Sequence, residues 1–189
     1  QKNAANELIA LRLARQLVQS NSSDQAAVVL RRSLSFVPGS KALNFELASI
    51  LIKTNELSHV SEITSLLRRS FTDGDSNYEA QFWFARHEFL YGDKERALKI
   101  YDQFTSRAHP YLDTTKRRAP VKGANGSARV FDGNIINLKG DFAFVSCSQL
   151  GSNLYLHRTE INQDGWLAIR VGDRLRFKVG FSFRGPACL

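Results

Sequence analysis

The chain has 189 residues, of which 43% are hydrophobic and 23% are charged, and its formal net charge is +8. This length suits one or two domains with packed cores, and the composition excludes a chain that is disordered throughout. No apolar run reaches the roughly 18 to 20 residues of a membrane-spanning helix. The basic balance favours a polyanionic partner, and a solvated basic surface explains it equally well.

The reactive residue types give no sign of catalysis. Cys147 and Cys188 are too few for a metal site and lack CxxC spacing, so a reduced protein in the cytoplasm is the simplest expectation. The four histidines have no metal-ligand spacing, and no phosphate-binding loop, nucleophile elbow or paired-carboxylate motif is present. We expect a non-catalytic protein without a metal or cofactor. Because the chain contains no methionine, we also expect it to be part of a longer protein.

Residues 7–111 have helical periodicity, with apolar residues at spacings of three and four. The pattern repeats after 34 residues, so that Ala14 coincides with Ala48 and Leu17 with Leu51. A third unit follows a three-residue insertion, and there Ala85 takes the place of Ala14. These small and large positions resemble the tetratricopeptide repeat. The predicted units are 7–40, 41–74 and 78–111.

The repeat resemblance implies a concave groove, lined by the first helix of each unit, that binds a protein or a neighbouring domain. An alternative is that the aromatic residues Phe82, Trp83, Phe84 and Phe89 simply pack against neighbouring helices. The predicted groove residues are Arg15, Phe45, Lys53, Phe82, Arg86 and Phe89.

Residues 112–128 lose the helical periodicity and are rich in basic, proline, glycine and small residues. This composition predicts a basic flexible linker. Its basic residues are candidates for phosphate contacts, and a solvated hinge is an equally good interpretation. They are Lys116, Arg117, Arg118 and Lys122.

From residue 129 onwards the pattern predicts strands. The predicted segments are strands at 129–138, 142–147, 153–157 and 174–179, a helical turn at 158–161, a loop at 162–169, and a last strand after 185–186. Gly133 lies inside the first strand and predicts a bulge or a tight bend. The whole chain is therefore predicted to be α+β, with a helical solenoid followed by a small five-stranded OB-type β-barrel at 129–189.

Four rings occupy alternate positions in two of these strands. Phe142 and Phe144 share one face of the second strand, and Tyr155 and His157 share one face of the third. If the two strands pair, the rings form one surface, which is better suited to stacking bases than to building a core. The better candidates for the core are Ala143 and Val145.

The barrel region resembles the cold-shock domain. Residues 140–145 read Gly-Asp-Phe-Ala-Phe-Val and match the first ribonucleoprotein-like motif, and residues 154–157 read Leu-Tyr-Leu-His and match the second. Trp166 falls where the family has a loop aromatic, and residues 184–187 read Arg-Gly-Pro-Ala and match the basic-Gly-Pro ending. The match covers nearly all of the barrel without gaps.

The first strand departs from the family. Residues 135–138 read Ile-Ile-Asn-Leu and have no aromatic where the family carries a lysine–tryptophan pair. Lys139 is displaced from the motif, and Asp141 adds a negative charge. One stacking surface and one phosphate contact of the family therefore lack a counterpart here.

The cold-shock resemblance implies a region that binds single-stranded RNA or DNA, with RNA as the expectation although no motif here reads the 2′-hydroxyl. Base stacking predicts low sequence selectivity. The order of repeats before an OB fold is similar to that in large innate-immune nucleoside triphosphatases, which suggests the C-terminal part of a larger regulator. The alternative function is an adaptor in which both the groove and the barrel bind protein. The predicted nucleic-acid-binding residues are Phe142, Phe144, Tyr155, His157, Trp166, Lys139, Arg158, Arg174, Arg176, Lys178 and Arg184.

Overall fold

A computed structural model describes residues 2–106, 118 and 120–189, with side chains from residue 6 onwards. Within these described residues the chain is α+β: six α-helices precede a closed five-stranded β-barrel. It divides into two compact units, residues 1–97 and 98–189, and the boundary falls within the sixth helix. None of the described helices is both long enough and apolar enough to cross a membrane.

Each of the first four helices contacts the next one along the chain. The third and fifth helices begin at Lys41 and Tyr78, where the repeat pattern predicts new units. Ser40 and Asn77 cap them, because each side chain accepts a hydrogen bond from a backbone N–H of the first turn. The helices are α1 Lys2–Gln19, α2 Ser23–Phe36, α3 Lys41–Asn55, α4 Val60–Arg69, α5 Tyr78–Tyr91 and α6 Lys94–Ser106.

Small residues line the contacts between these helices. Ala14, Ala48 and Ala85, the matched positions of the repeat pattern, are completely buried. Ion pairs also join successive pairs of helices. Arg15 on α1 lies 2.9 Å from Glu46 on α3, and Arg31 on α2 lies 2.8 Å from Glu62 on α4, so both contacts span 31 residues of sequence. The polar contacts thus follow nearly the same spacing as the apolar pattern.

A charged cluster lies in the interior of the first unit. The Arg86 guanidinium donates to both carboxylate oxygens of Glu56, which precedes α4 in a 3-10 turn. His87 donates from Nε2 to the carbonyl of Val60 at 3.0 Å, and its Nδ1 lies 3.6 Å from Glu56 Oε1. Burial alone would raise the pKa of Glu56, but the nearby His87 and the paired Arg86 outweigh this effect and hold the pKa below its ordinary value.

Replacing Glu56 by Gln is expected to destabilise the first unit by about 3–5 kcal/mol, because it leaves a buried guanidinium without this carboxylate. Denaturant unfolding, followed by the helical circular dichroism signal, measures the loss. The matched control is Glu46→Gln, which breaks the exposed Arg15 pair and should cost less than about 1 kcal/mol. Equal effects of the two changes would contradict the argument.

The same cluster predicts acid sensitivity. Because the folded-state pKa of Glu56 is lowered, its contribution to the free energy of unfolding is complete above the unfolded-state value of 4.5. That contribution is lost as the pH falls through the lower folded-state pKa. Unfolding curves should therefore show the wild type losing its advantage over Glu56→Gln only at acidic pH, and an advantage independent of pH would contradict the prediction.

The second unit is built around the β-barrel. Its strands are β1 Val130–Lys139, β2 Phe142–Cys147, β3 Ser152–His157, β4 Arg174–Ser182 and β5 Gly185–Cys188. Their order in the barrel is β1-β2-β3-β5-β4. Among the described strands only β3 and β5 pair in parallel, and this mixed closed arrangement is compatible with an OB fold. The predicted strands are confirmed, and the helical turn predicted at 158–161 is present at Arg158–Glu160.

The loop predicted at 162–169 is wrong, since α7, Gln163–Ala168, lies there. Asn162 supplies the reason: its side-chain oxygen accepts a hydrogen bond from the N–H of Gly165 at 2.7 Å and caps the helix. A helix of six residues is too short to leave a periodic pattern in the sequence.

The core of the barrel follows the predicted alternation. Ala143 and Val145 are completely buried, as are Phe131 and Val179. The flanking segments add to this core. Tyr101 of α6 stacks on Phe181, with ring centroids 6.5 Å apart, and the edge of Phe104 meets Phe183 at 4.9 Å; the end of α6 therefore belongs to the barrel unit.

Within the predicted linker, 112–128, the structure describes Arg118 and residues 120–128. Arg118 exchanges two backbone hydrogen bonds with Phe181, of 2.8 and 2.9 Å, and its guanidinium lies 4.8 Å from the Phe183 ring centroid. Val121 donates to the carbonyl of Val179 at 2.9 Å. The described end of the linker is thus joined to β4.

Of the two predictions for Gly133, a bulge or a tight bend, the bulge is wrong, because Gly133 pairs in register with Leu175. The irregularity of β1 lies further on, at Ile136. What Gly133 provides is a close approach: a Cβ there would lie 2.5 Å from the carbonyl oxygen of Ser146 and 2.7 Å from Val145 Cγ1. Glycine in a strand marks either situation, and only the pairing distinguishes them.

Gly133→Ala is expected to destabilise the barrel by about 1–3 kcal/mol, because neither a backbone carbonyl nor a buried valine can move aside cheaply. The control is Gly140→Ala, in the turn after β1, where a Cβ meets no atom within 4 Å. Thermal unfolding of both variants tests this, and a neutral Gly133→Ala would show that the strands can separate without cost.

Candidate functional site

The pairing of β2 with β3 brings the four predicted rings onto the outer face of the barrel. Phe142 lies opposite His157, and Phe144 lies opposite Tyr155. Phe144 is 36% exposed and the other three rings are half-buried. These four side chains are called the ring platform below.

The ring platform contains two ring orientations. Phe142 and Tyr155 are stacked at 5.7 Å with 25° between their planes, and Tyr155 and His157 are stacked at 6.3 Å with 29°. Phe144 is inclined by 84° to Phe142 and by 74° to Tyr155. The planes of Phe142, Tyr155 and His157 are therefore roughly parallel, and the plane of Phe144 is steeply inclined to those of Phe142 and Tyr155.

The outer face of β1 continues the platform. Lys139 lies opposite Phe142, and Asn137 lies opposite Phe144. Directly paired residues of an antiparallel ladder point to the same face, so both side chains flank a ring. The sequence left Lys139 as a displaced motif lysine, and the pairing puts this exposed cation at the edge of the ring platform.

His157 is oriented by the turn that follows β3. Its Nδ1 accepts the backbone N–H of Thr159 at 3.3 Å and lies 2.8 Å from the hydroxyl of the same residue. A nitrogen that accepts an N–H carries no proton, so Nε2 holds the proton of the neutral ring. The imidazole therefore has a fixed orientation beside Tyr155.

Trp166 reaches the same region from α7. Its indole N–H donates to the carbonyl of Gly140 at 3.1 Å, in the turn immediately before Phe142. The side chain is half-buried. This bond explains how a residue predicted to lie in a loop is held near the start of β2.

The predicted cations fall into two groups. Arg158 lies 3.0 Å from Asp141, and Arg174 lies 3.3 Å from Asp132, so each of these arginines faces an acidic partner. The negative charge of Asp141 is thereby neutralised locally. The remaining cations are exposed and form no ion pair within the described part of the chain. They are Lys139, Arg176, Lys178 and Arg184.

A groove of about 800 Å³ borders the ring platform on the side of β5. Phe144, Tyr155 and His157 contribute to its lining, together with Arg184 and Pro186. Glu160 lines it as well, so the groove combines an aromatic wall with one guanidinium and one carboxylate, and its aromatic wall and guanidinium suit a flat ligand that carries a negative group. Sequence reasoning named four of these residues and did not predict that they enclose a groove.

The predicted protein-binding residues of the helical unit do not share one surface. Phe82 and Phe89 are completely buried and Arg86 is only 2% exposed, so these three build the interior. Helix α5 is buried around most of its circumference, so its hydrophobic pattern does not indicate which side of the helix faces solvent. The other three predicted residues reach the surface: Arg15 is paired with Glu46, Phe45 is half-buried and Lys53 is exposed.

Sequence reasoning missed Asn137, because its position beside Phe144 depends on the irregular pairing of β1.

Within the described residues, no group of three or more His, Cys, Asp or Glu side chains could hold a metal ion. A scan of protein-family models and searches of curated proteins and of solved structures found no match to this chain.

Phe144→Ala is expected to cost about 1 kcal/mol of stability or less, since its ring remains in contact with solvent in the folded protein. The comparison is Phe131→Ala, which removes a completely buried ring and should cost about 3–5 kcal/mol. Unfolding curves of the two variants measure the difference. A large loss for Phe144→Ala would mean that this ring is needed for folding.

Proposed function

We propose that the barrel unit binds single-stranded nucleic acid, with RNA as the expected ligand, and that it performs no catalysis. The observation that carries this proposal is the ring platform: four aromatic or imidazole rings face outward from two adjacent strands. Each base stacked on such a ring contributes about 1–3 kcal/mol. Because these rings stay partly exposed to water, they contribute less to the stability of the fold than buried rings would.

The distribution of charge supports the same ligand. Lys139 borders Phe142, and Arg184 lines the groove beside Tyr155, so positive charge is available on two sides of the rings. Such side chains neutralise phosphates and release condensed counterions, which makes binding weaken as the salt concentration rises. We infer that Arg158 and Arg174 contribute less, because each already has a carboxylate partner.

We further propose that the barrel is an OB fold of the cold-shock type and that the helical unit is a tetratricopeptide-type scaffold. The mixed strand order and the two ring motifs support the first assignment. The starts of α3 and α5, together with the ion pairs that span 31 residues, support the second. Protein contacts through Arg15, Phe45 and Lys53, and a place in a larger regulator, remain predictions.

The double change Phe142→Ala with Tyr155→Ala is expected to weaken binding of a fluorescent single-stranded RNA by at least roughly tenfold, because it removes two of the parallel rings. Fluorescence anisotropy at several salt concentrations measures the affinity, and the same titration with DNA tests the preference for RNA. Wild-type affinity should fall with rising salt.

The matched control is Phe36→Ala, which removes a ring that is 75% exposed on α2, outside the barrel. This variant should bind as the wild type does. Absence of wild-type binding even at low salt would refute the proposed function. Binding that survives the double change, with circular dichroism unaltered, would place the ligand elsewhere on the chain.

A further inference from the structure

The irregularity in β1 changes which side chain stands beside Phe144. Ile135 pairs with Val145, and both are buried, so regular pairing would put Ile136 opposite Phe144. Instead Ile136 is the extra residue, and Asn137 takes the position opposite Phe144. Because two residues of a bulged strand oppose one residue of its partner, the carboxamide of Asn137 is added beside the ring, next to the exposed Ile136. Bulges commonly re-aim side chains in this way next to functional sites.

The donor and acceptor groups of the Asn137 side chain are available to a ligand. It is exposed, and within the described residues it forms no hydrogen bond. Directly opposite residues of an antiparallel pair have Cβ atoms about 4.5–5.5 Å apart, so the carboxamide lies alongside the Phe144 ring. A base stacked on that ring would present its edge, rather than its face, to Asn137.

A carboxamide offers an acceptor oxygen and two N–H donors side by side. Adenine presents the complementary pair, because N6 carries hydrogens and N7 accepts, and asparagine binds this edge with two hydrogen bonds. Guanine presents two acceptors, N7 and O6, on the same edge, which the carboxamide cannot match with both of its groups. Cytosine and uracil have no N7, and they offer a donor and an acceptor side by side only on their Watson–Crick edges, so a preference for adenine requires that the N7 edge faces Asn137. Stacking is tolerant of any base, so discrimination has to come from such an edge contact.

Building on the proposed function, we propose that Asn137 reads the N6 and N7 edge of an adenine stacked on the ring platform at Phe144. The barrel then prefers single strands that carry adenine, in contrast to the low selectivity that the stacking rings alone predict. Asn137 is in this proposal a specificity-determining residue, and the bulge at Ile136 is the feature that positions it.

The test compares labelled oligoadenylate, oligocytidylate and oligouridylate of about eight nucleotides, a length typical of such sites. Fluorescence anisotropy with the full chain should give an affinity for oligoadenylate that is roughly fivefold higher or more. In Asn137→Ala this preference should disappear, and the affinities for the two pyrimidine oligomers should stay unchanged. Asn137→Asp keeps the shape but lacks the donor, so it should lose the preference as well.

The matched control is Asn134→Ala. Asn134 is also exposed and on β1, but it lies opposite Ser146 and Arg174 and not opposite a ring. This variant should keep the adenine preference. Equal wild-type affinities for the three oligomers, or a preference that survives both Asn137 changes, would overturn base reading and leave the proposed function standing. If none of the oligomers binds, the proposed function fails and this inference fails with it.

Discussion

The register between β2 and β3 is the constraint on which the candidate site depends. Val145 and Leu154 pair in the core, and the next pair, Phe144 and Tyr155, faces outward. Because side chains alternate with a period of two, a slip of one residue would bury the rings and expose the aliphatic side chains. Burial of the inner row is favourable, and it is this burial that holds the outer row in place. Stability and the candidate function are therefore linked through one strand pairing.

The first strand modifies this arrangement instead of repeating it. Its bulge at Ile136 carries Asn137 and Lys139 onto the outer face, where they flank the two phenylalanines of β2. The close approach at Gly133 allows the same strand to pack tightly against Ser146 further along. The outer face consequently combines rings on β2 and β3 with polar and basic side chains on β1. This combination suits a ligand that is flat, polar at its edges and negatively charged along its backbone.

Particular residues show how far prediction reaches. The two ring strands, their exposed faces and the buried positions of Ala143 and Val145 follow from strict alternation, which is a local signal. The starts of α3 and α5 follow from a repeated pattern and from capping residues, which are local as well. The groove assignment of Phe82, Arg86 and Phe89 failed because α5 is apolar around most of its surface and indicates no outer side. The Arg86–Glu56 pair joins residues from different helices, and periodicity carries no information about it.

The sequence by itself determined which side chains of each strand share a face, since that depends only on the geometry of an extended chain. It also determined that helices precede strands. The tertiary structure decided which faces meet and which charges are already satisfied. It alone brought Asp141 to Arg158, Phe183 to Arg118 and, through the bulge, Asn137 to Phe144. Those outcomes depend on pairing between distant segments, where the competing registers differ by the burial of whole rows of side chains.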